Sequence, residues 1–265
     1  MRRLEEQGAI FVRELDEIPT GATAVFSAHG VAPVVHEQAL RRSLRVVDAT
    51  CPLVTKVHSE VRHFAARGYT VVLIGHAGHD EIEGTSGEAP HAVVLVERVA
   101  DVERLAVADD AKLAYVTQTT LSLDDTAAIV GALRERFPLI VGPRREDICY
   151  ATTNRQRAVK ALAREVDLVL VVGSANSSNS NRLAEVASTT GTSARLIDDE
   201  RDIEPGWLED REVVGVTSGA STAESTLRGV VEWFRRRNGL EVVFAPEVRE
   251  DVAFNLPPPV RLGAR

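Results

Sequence analysis

Short runs of β-branched and aliphatic residues alternate with amphipathic stretches along the whole chain. Strands that alternate with helical patterns are typical of parallel α/β units, in which each helix carries the chain back to the next strand. The pattern therefore predicts an α/β protein. The runs predicted as strands are Ala24–Phe26, Val71–Ile74, Val93–Val96, Leu113–Val116, Leu168–Val172, Leu196–Ile197 and Val213–Val216.

Two long stretches of this pattern repeat one another. The spacing from Cys51 through a helical pattern and a strand to Gly75 equals the spacing from Cys149 to Gly173. Each copy then continues through an acidic segment and a further strand into a polar loop. The opening of the chain, from Ile10 onward, matches only the second half of this unit.

The repeat predicts an α/β fold of three domains related by a pseudo-threefold axis, each with a short parallel sheet, around a central site. The first domain is predicted to be truncated. The predicted boundaries are 1–50 for the second half of domain 1, 51–148 for domain 2, 149–240 for domain 3 and 241–265 for a C-terminal tail.

Composition narrows the possible partners and compartment. The 265 residues carry a formal charge of −8, which argues against a nucleic-acid or anionic-membrane surface. No apolar run approaches the roughly 20 residues of a membrane span. Two cysteines do not make a disulfide framework, so we expect a reducing, cytoplasmic location.

Polar loops follow five of the predicted strands, at the strand ends where α/β sheets usually bind ligands. Hydroxyls, amides and the free N–H groups of helix starts suit a phosphate or diphosphate. Ordinary helix capping is the alternative for any single loop, but repetition at five equivalent positions favours a binding site. The loops are Ser27–Gly30, His76–Glu81, Thr117–Thr120, Ser174–Asn181 and Thr217–Ser221.

Cys51 and Cys149 occupy the same repeat position, each at the start of a predicted helix. A helix N-terminus lowers the pKa of a thiol and favours the thiolate. Two interpretations stay open: buried structural cysteines, or ligands of a metal centre on the threefold axis. Three thiolates suit an iron–sulfur cluster better than zinc, and a complete first copy of the repeat is expected to carry a third cysteine.

Glu81 is a candidate acid, because a carboxyl beside a buried anion has a raised pKa and can deliver a proton near neutral pH. A solvated loop glutamate is the alternative. His76 and His79 are predicted to act as single hydrogen-bond donors rather than metal ligands. His58 and His63, on the helix after Cys51, are predicted to be surface residues. No glycine-rich nucleotide motif is present, so a nucleotide cofactor has no support.

Five longer motifs stand out in the sequence: Asp48–Val54, Gly75–His79, Thr117–Thr120, Asp147–Gln156 and Gly173–Arg182. Together they resemble the 4-hydroxy-3-methylbut-2-enyl diphosphate reductase (LytB) family, and the likeness runs to about Glu250. Members of this family have three similar α/β domains around a 4Fe-4S iron–sulfur cluster, which is held by three cysteines. The resemblance implies that two electrons and two protons remove the substrate hydroxyl, giving isopentenyl and dimethylallyl diphosphate, the last step of the non-mevalonate isoprenoid pathway.

The resemblance also implies roles for individual residues. Cys51 and Cys149 resemble two of the three cluster ligands, Glu81 the acid of the proton relay, and Thr119 the residue that contacts the substrate near its hydroxyl. A ferredoxin or flavodoxin is the implied electron donor. The residues that match diphosphate-binding positions are His29, His79, Ser177, Ser178, Asn179 and Ser221.

Two other function classes compete with an iron–sulfur reductase. One is a truncated or degenerate paralogue that binds diphosphates without redox activity. The other is a sugar-phosphate enzyme that uses Glu81 and the histidines as acid and base, with incidental cysteines. Brown colour and acid-labile sulfide distinguish the reductase from both.

The first cluster cysteine of the family and one of its substrate-binding histidines correspond to positions before Met1. We therefore expect a misplaced start, at a position where the family typically has an aliphatic residue. The resemblance implies that the upstream DNA, read in frame, encodes a Cys-Ala-Gly-like segment about 40 residues before Met1. If that segment is missing from the DNA, the hypothesis of a misplaced start is wrong.

Overall fold

The structure is a computed structural model, and it describes residues 2–237, 241–243, 252–257 and 260. The strands are β1 Thr23–Phe26, β2 Arg45–Asp48, β3 Thr70–Ile74, β4 Val93–Val96, β5 Leu113–Thr117, β6 Leu168–Val172, β7 Ser193–Ile197 and β8 Val214–Ser218. The α-helices are α1 Arg2–Glu6, α2 Pro33–Arg41, α3 Pro52–Ala65, α4 Asp80–Gly87, α5 Val99–Arg104, α6 Leu123–Arg136, α7 Tyr150–Ala163, α8 Ser178–Thr189 and α9 Glu224–Arg235. Most of the predicted tail, 241–265, lies outside the described residues.

The strands form short sheets of orders β1-β2, β4-β3-β5 and β7-β6-β8, and the strands of each sheet pair in parallel. Parallel neighbours need crossover connections, which the intervening helices supply. The predicted α/β class with short parallel sheets is therefore confirmed.

The chain divides into two compact units. Unit 1 comprises Met1–Gln118, Leu133–Asp147 and Ala253–Arg265, and it holds the first two sheets. Unit 2 comprises Thr119–Ala132 and Ile148–Val252, and it holds the third. The division into domains at 50, 148 and 240 stays a prediction.

Strand β2 was not predicted from the sequence. β2 pairs with β1 from Thr23↔Arg45 to Phe26↔Asp48, and its two valines are too short a run to stand out between charged ends. Val141 makes a matching parallel bridge to Ala114 in β5, so the second copy repeats this feature. Ile10–Val12, the counterpart of the end of β4, forms no strand. Among the described residues β1 pairs only with β2, so this segment lacks the central strand that β4 pairs with.

The core of unit 1 lies between α3 and the central strand β3. Val57 and Val61 on the helix pack against Val71 and Leu73 on the strand, and all four side chains are fully buried. This packing fixes α3, and with it the residue at the start of α3, relative to the strand ends. Full burial of each such side chain stabilises the fold by about 1.5–3 kcal/mol.

The core of unit 2 has two faces on either side of β6, whose residues are all buried. Val169 and Val171 point to one face and pack with α7 and α8. Leu168, Leu170 and Val172 point to the other face and pack with α9. A strand buried on both faces reads as a continuous apolar run, which is why the sequence identified β6 at its true bounds.

His58 is buried, with 5% of its surface exposed, so its prediction as a surface residue is wrong. It lies four residues after Val54 and beside Val57 and Val61, on the apolar face of α3. The spacing of His58 from Val54 and Val61 therefore indicated a buried position. His63 is exposed, as expected. No helix in the described part of the chain is both long enough and apolar enough to cross a bilayer.

Truncation of Leu170 tests the central position of β6. Leu170→Ala should lower the free energy of unfolding by about 2–5 kcal/mol, because it leaves a cavity between packed layers. Leu40→Ala is the matched control, since Leu40 is 79% exposed on α2, and we expect a change within about 0.5 kcal/mol. Urea unfolding followed by circular dichroism measures both. Equal losses in the two variants would contradict the described core.

Candidate functional site

The start of α4 brings together two of the predicted binding histidines in unit 1. His79 is the N-cap residue of α4, and its Nδ1 accepts a hydrogen bond from the backbone N–H of Glu81 at 3.1 Å. The ring of His29 lies 5.2 Å from that of His79, centre to centre. His29 Nδ1 is 3.3 Å from a carboxylate oxygen of Asp80, so the acidic first turn of α4 also holds His29.

The electrostatics of this corner favour a neutral His79. Burial lowers its pKa from the usual 6.5, and His29 and His76 lower it further against the opposing pull of Asp80. Because Nδ1 accepts the Glu81 amide, the neutral ring carries its proton on Nε2. His79 can therefore donate a hydrogen bond to an anion while it caps the helix.

Glu81 lies in the first turn of α4, and only 1% of its surface is exposed. The alternative of a solvated loop glutamate is therefore wrong. Carboxyl groups are almost never buried without a partner, and Glu81 has one in the structure. A buried carboxyl at a helix N-terminus beside His79 is suited to hold or release a proton.

Cys51 is the N-cap residue of α3, half-buried and not in a disulfide. Its backbone N–H donates to the carbonyl of Ala28 at 3.0 Å, and its own carbonyl accepts from the N–H of Thr55 at 2.9 Å. The first bond attaches the loop that carries His29 to the start of the helix.

Cys149 has the same surroundings in unit 2. It is the N-cap residue of α7, half-buried and free, with backbone angles of φ −57° and ψ 137°, against −59° and 132° at Cys51. Its N–H donates to the carbonyl of Thr119 at 3.0 Å, and its carbonyl accepts from Thr153 at 2.9 Å. The predicted equivalence of the two cysteines is therefore matched bond for bond, although their role as ligands stays a prediction.

The start of α8 gathers the remaining polar residues of unit 2. Ser177 is the N-cap residue, and its Oγ accepts from the N–H of Ser180, so the capping interpretation holds for this serine. The Ser178 hydroxyl lies 3.0 Å from that of Thr120. Asn179 is 6% exposed, yet its Oδ1 and Nδ2 are buried and find no hydrogen-bond partner in the described ranges.

The loops around Ser180 need glycine. A Cβ at Gly173 or at Gly219 would fall on the Ser180 hydroxyl, so both loops come close to α8. Ser221 follows in the second of these loops and is exposed, whereas Thr119 is 5% exposed. The structure thus places Ser177, Ser178 and Asn179 together, and leaves Ser221 at the surface.

Sequence reasoning missed a buried ion pair in unit 1. Lys56, on the helix after Cys51, donates to the Asp147 carboxylate at 2.7 Å and to the Arg145 carbonyl at 2.6 Å. The other Asp147 oxygen accepts from the N–H of Thr117 at 2.9 Å. Burial, and then the Asp147 carboxylate, raises the pKa of nearby Glu60 to about 7. This pair fixes the segment that leads to Cys149.

Comparison with known proteins assigns the family. The LytB protein family model matches residues 1–235. The chain belongs to the LytB family. It is 57% identical over 254 residues to the 4-hydroxy-3-methylbut-2-enyl diphosphate reductase of Aromatoleum aromaticum, which covers 96% of this chain and 81% of that protein.

Two solved structures agree with this assignment. The E-1-hydroxy-2-methyl-but-2-enyl-4-diphosphate reductase of Plasmodium falciparum matches with a TM-score of 0.94 and 38% identity, over 99% of this chain and 83% of that one. A structure of (E)-4-hydroxy-3-methyl-but-2-enyl diphosphate reductase, described as the terminal enzyme of the non-mevalonate pathway, matches with a TM-score of 0.60 and 30% identity, over 89% of this chain and 83% of that one. The family resemblance predicted from the motifs is confirmed. These matches give no support to a paralogue without redox activity.

The lowered pKa of His79 predicts a specific response to pH. Its imidazole resonances should titrate below pH 6.5 in a proton NMR titration, with assignment by comparison with His79→Gln. Because protonation is harder in the folded state, the stabilising contribution is complete above pH 6.5 and is lost as the pH falls through the lowered pKa. A midpoint at or above 6.5 would contradict the described burial.

Proposed function

We propose that the chain catalyses the reductive dehydroxylation of 4-hydroxy-3-methylbut-2-enyl diphosphate to isopentenyl and dimethylallyl diphosphate. Asn179 is the observation that carries the proposal. Both polar atoms of its amide are buried and have no hydrogen-bond partner among the described residues, which native structures rarely tolerate. Asn179 lies in the first turn of α8, where backbone N–H groups favour an anion. A bound diphosphate would accept a hydrogen bond from the Asn179 amide, which explains why this polar side chain is buried.

The reaction balances as a two-electron reduction. The carbon–oxygen bond of the substrate hydroxyl breaks, one proton joins the oxygen to form water, and a second proton joins the allylic carbon chain. Two electrons enter from an external donor. The position of the second proton decides which of the two products forms.

The donor set suits an iron–sulfur cluster. Cys51 and Cys149 are half-buried, unpaired in disulfides and equivalent at two helix N-termini, which favour the thiolate form that binds iron. No group of three or more His, Cys, Asp or Glu residues within the described ranges is arranged to hold a metal ion by itself. We assign these two cysteines, from the family motifs, as two of the three thiolates that would hold the cluster. When bound, the cluster supplies the electrons at the substrate hydroxyl.

Diphosphate-binding roles are assigned residue by residue from the family motifs. His29 and His79 are assigned as hydrogen-bond donors to diphosphate oxygens, and Asp80 orients His29. The same role is assigned to Ser177, Ser178, Asn179 and Ser221. Thr119 contacts the substrate near its hydroxyl. Hydroxyl, amide and imidazole donors of this kind can bind a diphosphate without needing lysine or arginine.

Glu81 is assigned to proton delivery. Its burial limits exchange with bulk water, and its backbone N–H is held by His79, so its position is fixed relative to a diphosphate-binding residue. A buried carboxyl keeps its proton more readily than an exposed one, which suits a general acid.

The electron donor and the compartment are parts of the same proposal. A ferredoxin or flavodoxin supplies single electrons to the cluster. The two free cysteines support a cytoplasmic location, because thiols stay reduced there.

Asn179→Leu tests the carrying observation. The substitution should weaken diphosphate binding at least about tenfold, because a hydrogen bond to a charged group contributes about 1.5–3 kcal/mol. The melting temperature should stay the same or rise, since no protein partner loses a hydrogen bond. Calorimetric titration with inorganic diphosphate and thermal unfolding measure the two effects. Asn255→Leu, at an exposed position, is the control. Unchanged binding combined with a lower melting temperature would reject the role.

Glu81→Gln tests proton delivery. The amide keeps the shape of the side chain and removes the acid, so substrate binding and iron content should stay while turnover falls by about 100-fold or more, the usual contribution of a general acid. Anaerobic assays that separate kcat from KM measure this. Loss of substrate binding with the cluster intact would count against the proton role.

A further inference from the structure

A buried polar side chain lies about two helical turns after each cysteine, on the same face of its helix. In unit 1 it is His58 on α3, and in unit 2 it is Gln156 on α7, with 5% and 0% of their surfaces exposed. The proposed chemistry uses neither residue. Each contacts the polar loop whose carbonyl is held by the cysteine of the same helix.

Gln156 binds the loop in unit 2 through both ends of its amide. Its Nε2 donates to the carbonyl of Leu121 at 2.7 Å, and its Oε1 accepts from the N–H of Leu123 at 3.0 Å. The two backbone partners fix the orientation of the amide. Together with the bond from Cys149 to Thr119, they attach both ends of the segment Thr119–Leu123 to α7.

His58 makes the corresponding contact in unit 1. Cys51 holds the carbonyl of Ala28, and the His58 ring packs against Gly30, two residues further on. A Cβ at Gly30 would lie 2.9 Å from His58 Cε1, and Gly30 has φ +76°, so both the ring and the turn require glycine. Glu88 fixes the ring through a 2.7 Å contact to its Nδ1.

The spacing is the same in both units. The cysteine amide holds one loop residue, and the side chain two turns later contacts the residue two positions further along the loop. Gln156 makes this contact by a hydrogen bond to Leu121, whereas His58 packs its ring against Gly30. Between these attachments lie His29 in unit 1 and Thr120 in unit 2, while Thr119 is held at its own carbonyl. Gln156 does more than fill space, because it satisfies the Leu121 carbonyl and the Leu123 N–H with hydrogen bonds.

We propose that Gln156 and His58 are positioning residues that hold the loops bearing Thr119 and His29 in register with the cysteine at the start of each helix. The roles of Thr119 and His29 rest on the proposed function. Gln156 touches neither substrate nor cluster, and it acts through Thr119.

Gln156→Met in the full chain tests this proposal, because methionine keeps the length of the side chain and removes both hydrogen bonds. The matched control is Gln38→Met, at an exposed position on α2. In Gln156→Met the backbone amide of Leu123 should exchange with deuterium at least about tenfold faster. This readout requires no activity, so it stands even if the proposed reaction does not. The control should leave the exchange unchanged.

Turnover and iron content separate positioning from general damage. In the iron-loaded chain, Gln156→Met should lower kcat/KM by about 10- to 100-fold at unchanged iron content, the size of effect expected when a reacting geometry is misplaced by about 1 Å. In a Thr119→Ala background the same substitution should have little further effect, because its target is already gone.

Three results would overturn the proposal: unchanged exchange at Leu123, loss of iron in Gln156→Met, or an equal loss of kcat/KM with and without Thr119. Loss of iron would place the effect at Cys149 instead. If Gln156→Met does not fold, Gln156→Asn replaces it, since its shorter amide cannot reach Leu121 and Leu123 together. An inactive wild-type chain that still shows the exchange effect would reject the proposed reaction and leave the positioning role intact.

Discussion

One backbone hydrogen bond, made once in each unit, fixes a cysteine at a helix start to a polar loop. The backbone N–H of Cys51 donates to the carbonyl of Ala28, and that of Cys149 donates to the carbonyl of Thr119. An N-cap residue has extended backbone angles, so its N–H is free to leave the helix and bind a neighbouring loop. The thiol at the helix start and the polar loop after a strand are therefore fixed to each other by the backbone.

Burial of polar groups supplies the second constraint. Glu81, Gln156 and Asp147 lie in the interior, where an unsatisfied polar atom costs about 1–3 kcal/mol. The structure satisfies Gln156 and Asp147 with backbone groups of the loops that carry the candidate binding residues. Asn179 differs, because its amide has no hydrogen-bond partner within the part of the chain that the structure describes. This contrast distinguishes side chains that bond to loops from the side chain proposed to bind the diphosphate.

Much of the fold could be predicted from the sequence, because a parallel sheet requires apolar strands and an internal repeat doubles the signal. β3, β4 and β6 were identified almost to the residue. β2 was missed because its only apolar residues are Val46 and Val47, and its stability comes from pairing with β1 rather than from its own composition. His58 was misplaced for a related reason: residue type suggested a surface position, whereas its spacing from Val54 and Val61 indicated the core.

The candidate site was predictable to a smaller extent. The repeat located Cys51, Cys149 and the polar loops, and the family motifs assigned candidate roles to residues in those loops. No local pattern reveals that Lys56 bonds to Asp147, or that Gln156 bonds to Leu121, because these contacts join segments far apart in the sequence. Such contacts emerge only once the strands have set the spacing between helices and loops.

The central claim is that this chain reduces an allylic diphosphate with a cysteine-bound iron–sulfur cluster. The most direct measurement is anaerobic incubation of the native protein with 4-hydroxy-3-methylbut-2-enyl diphosphate and a chemical reductant. Products are identified by mass spectrometry, and iron and acid-labile sulfide are determined on the same sample. The account predicts isopentenyl and dimethylallyl diphosphate together with bound iron and sulfide, all lost in Cys149→Ser. A protein that binds the substrate without iron and returns it unchanged would contradict it.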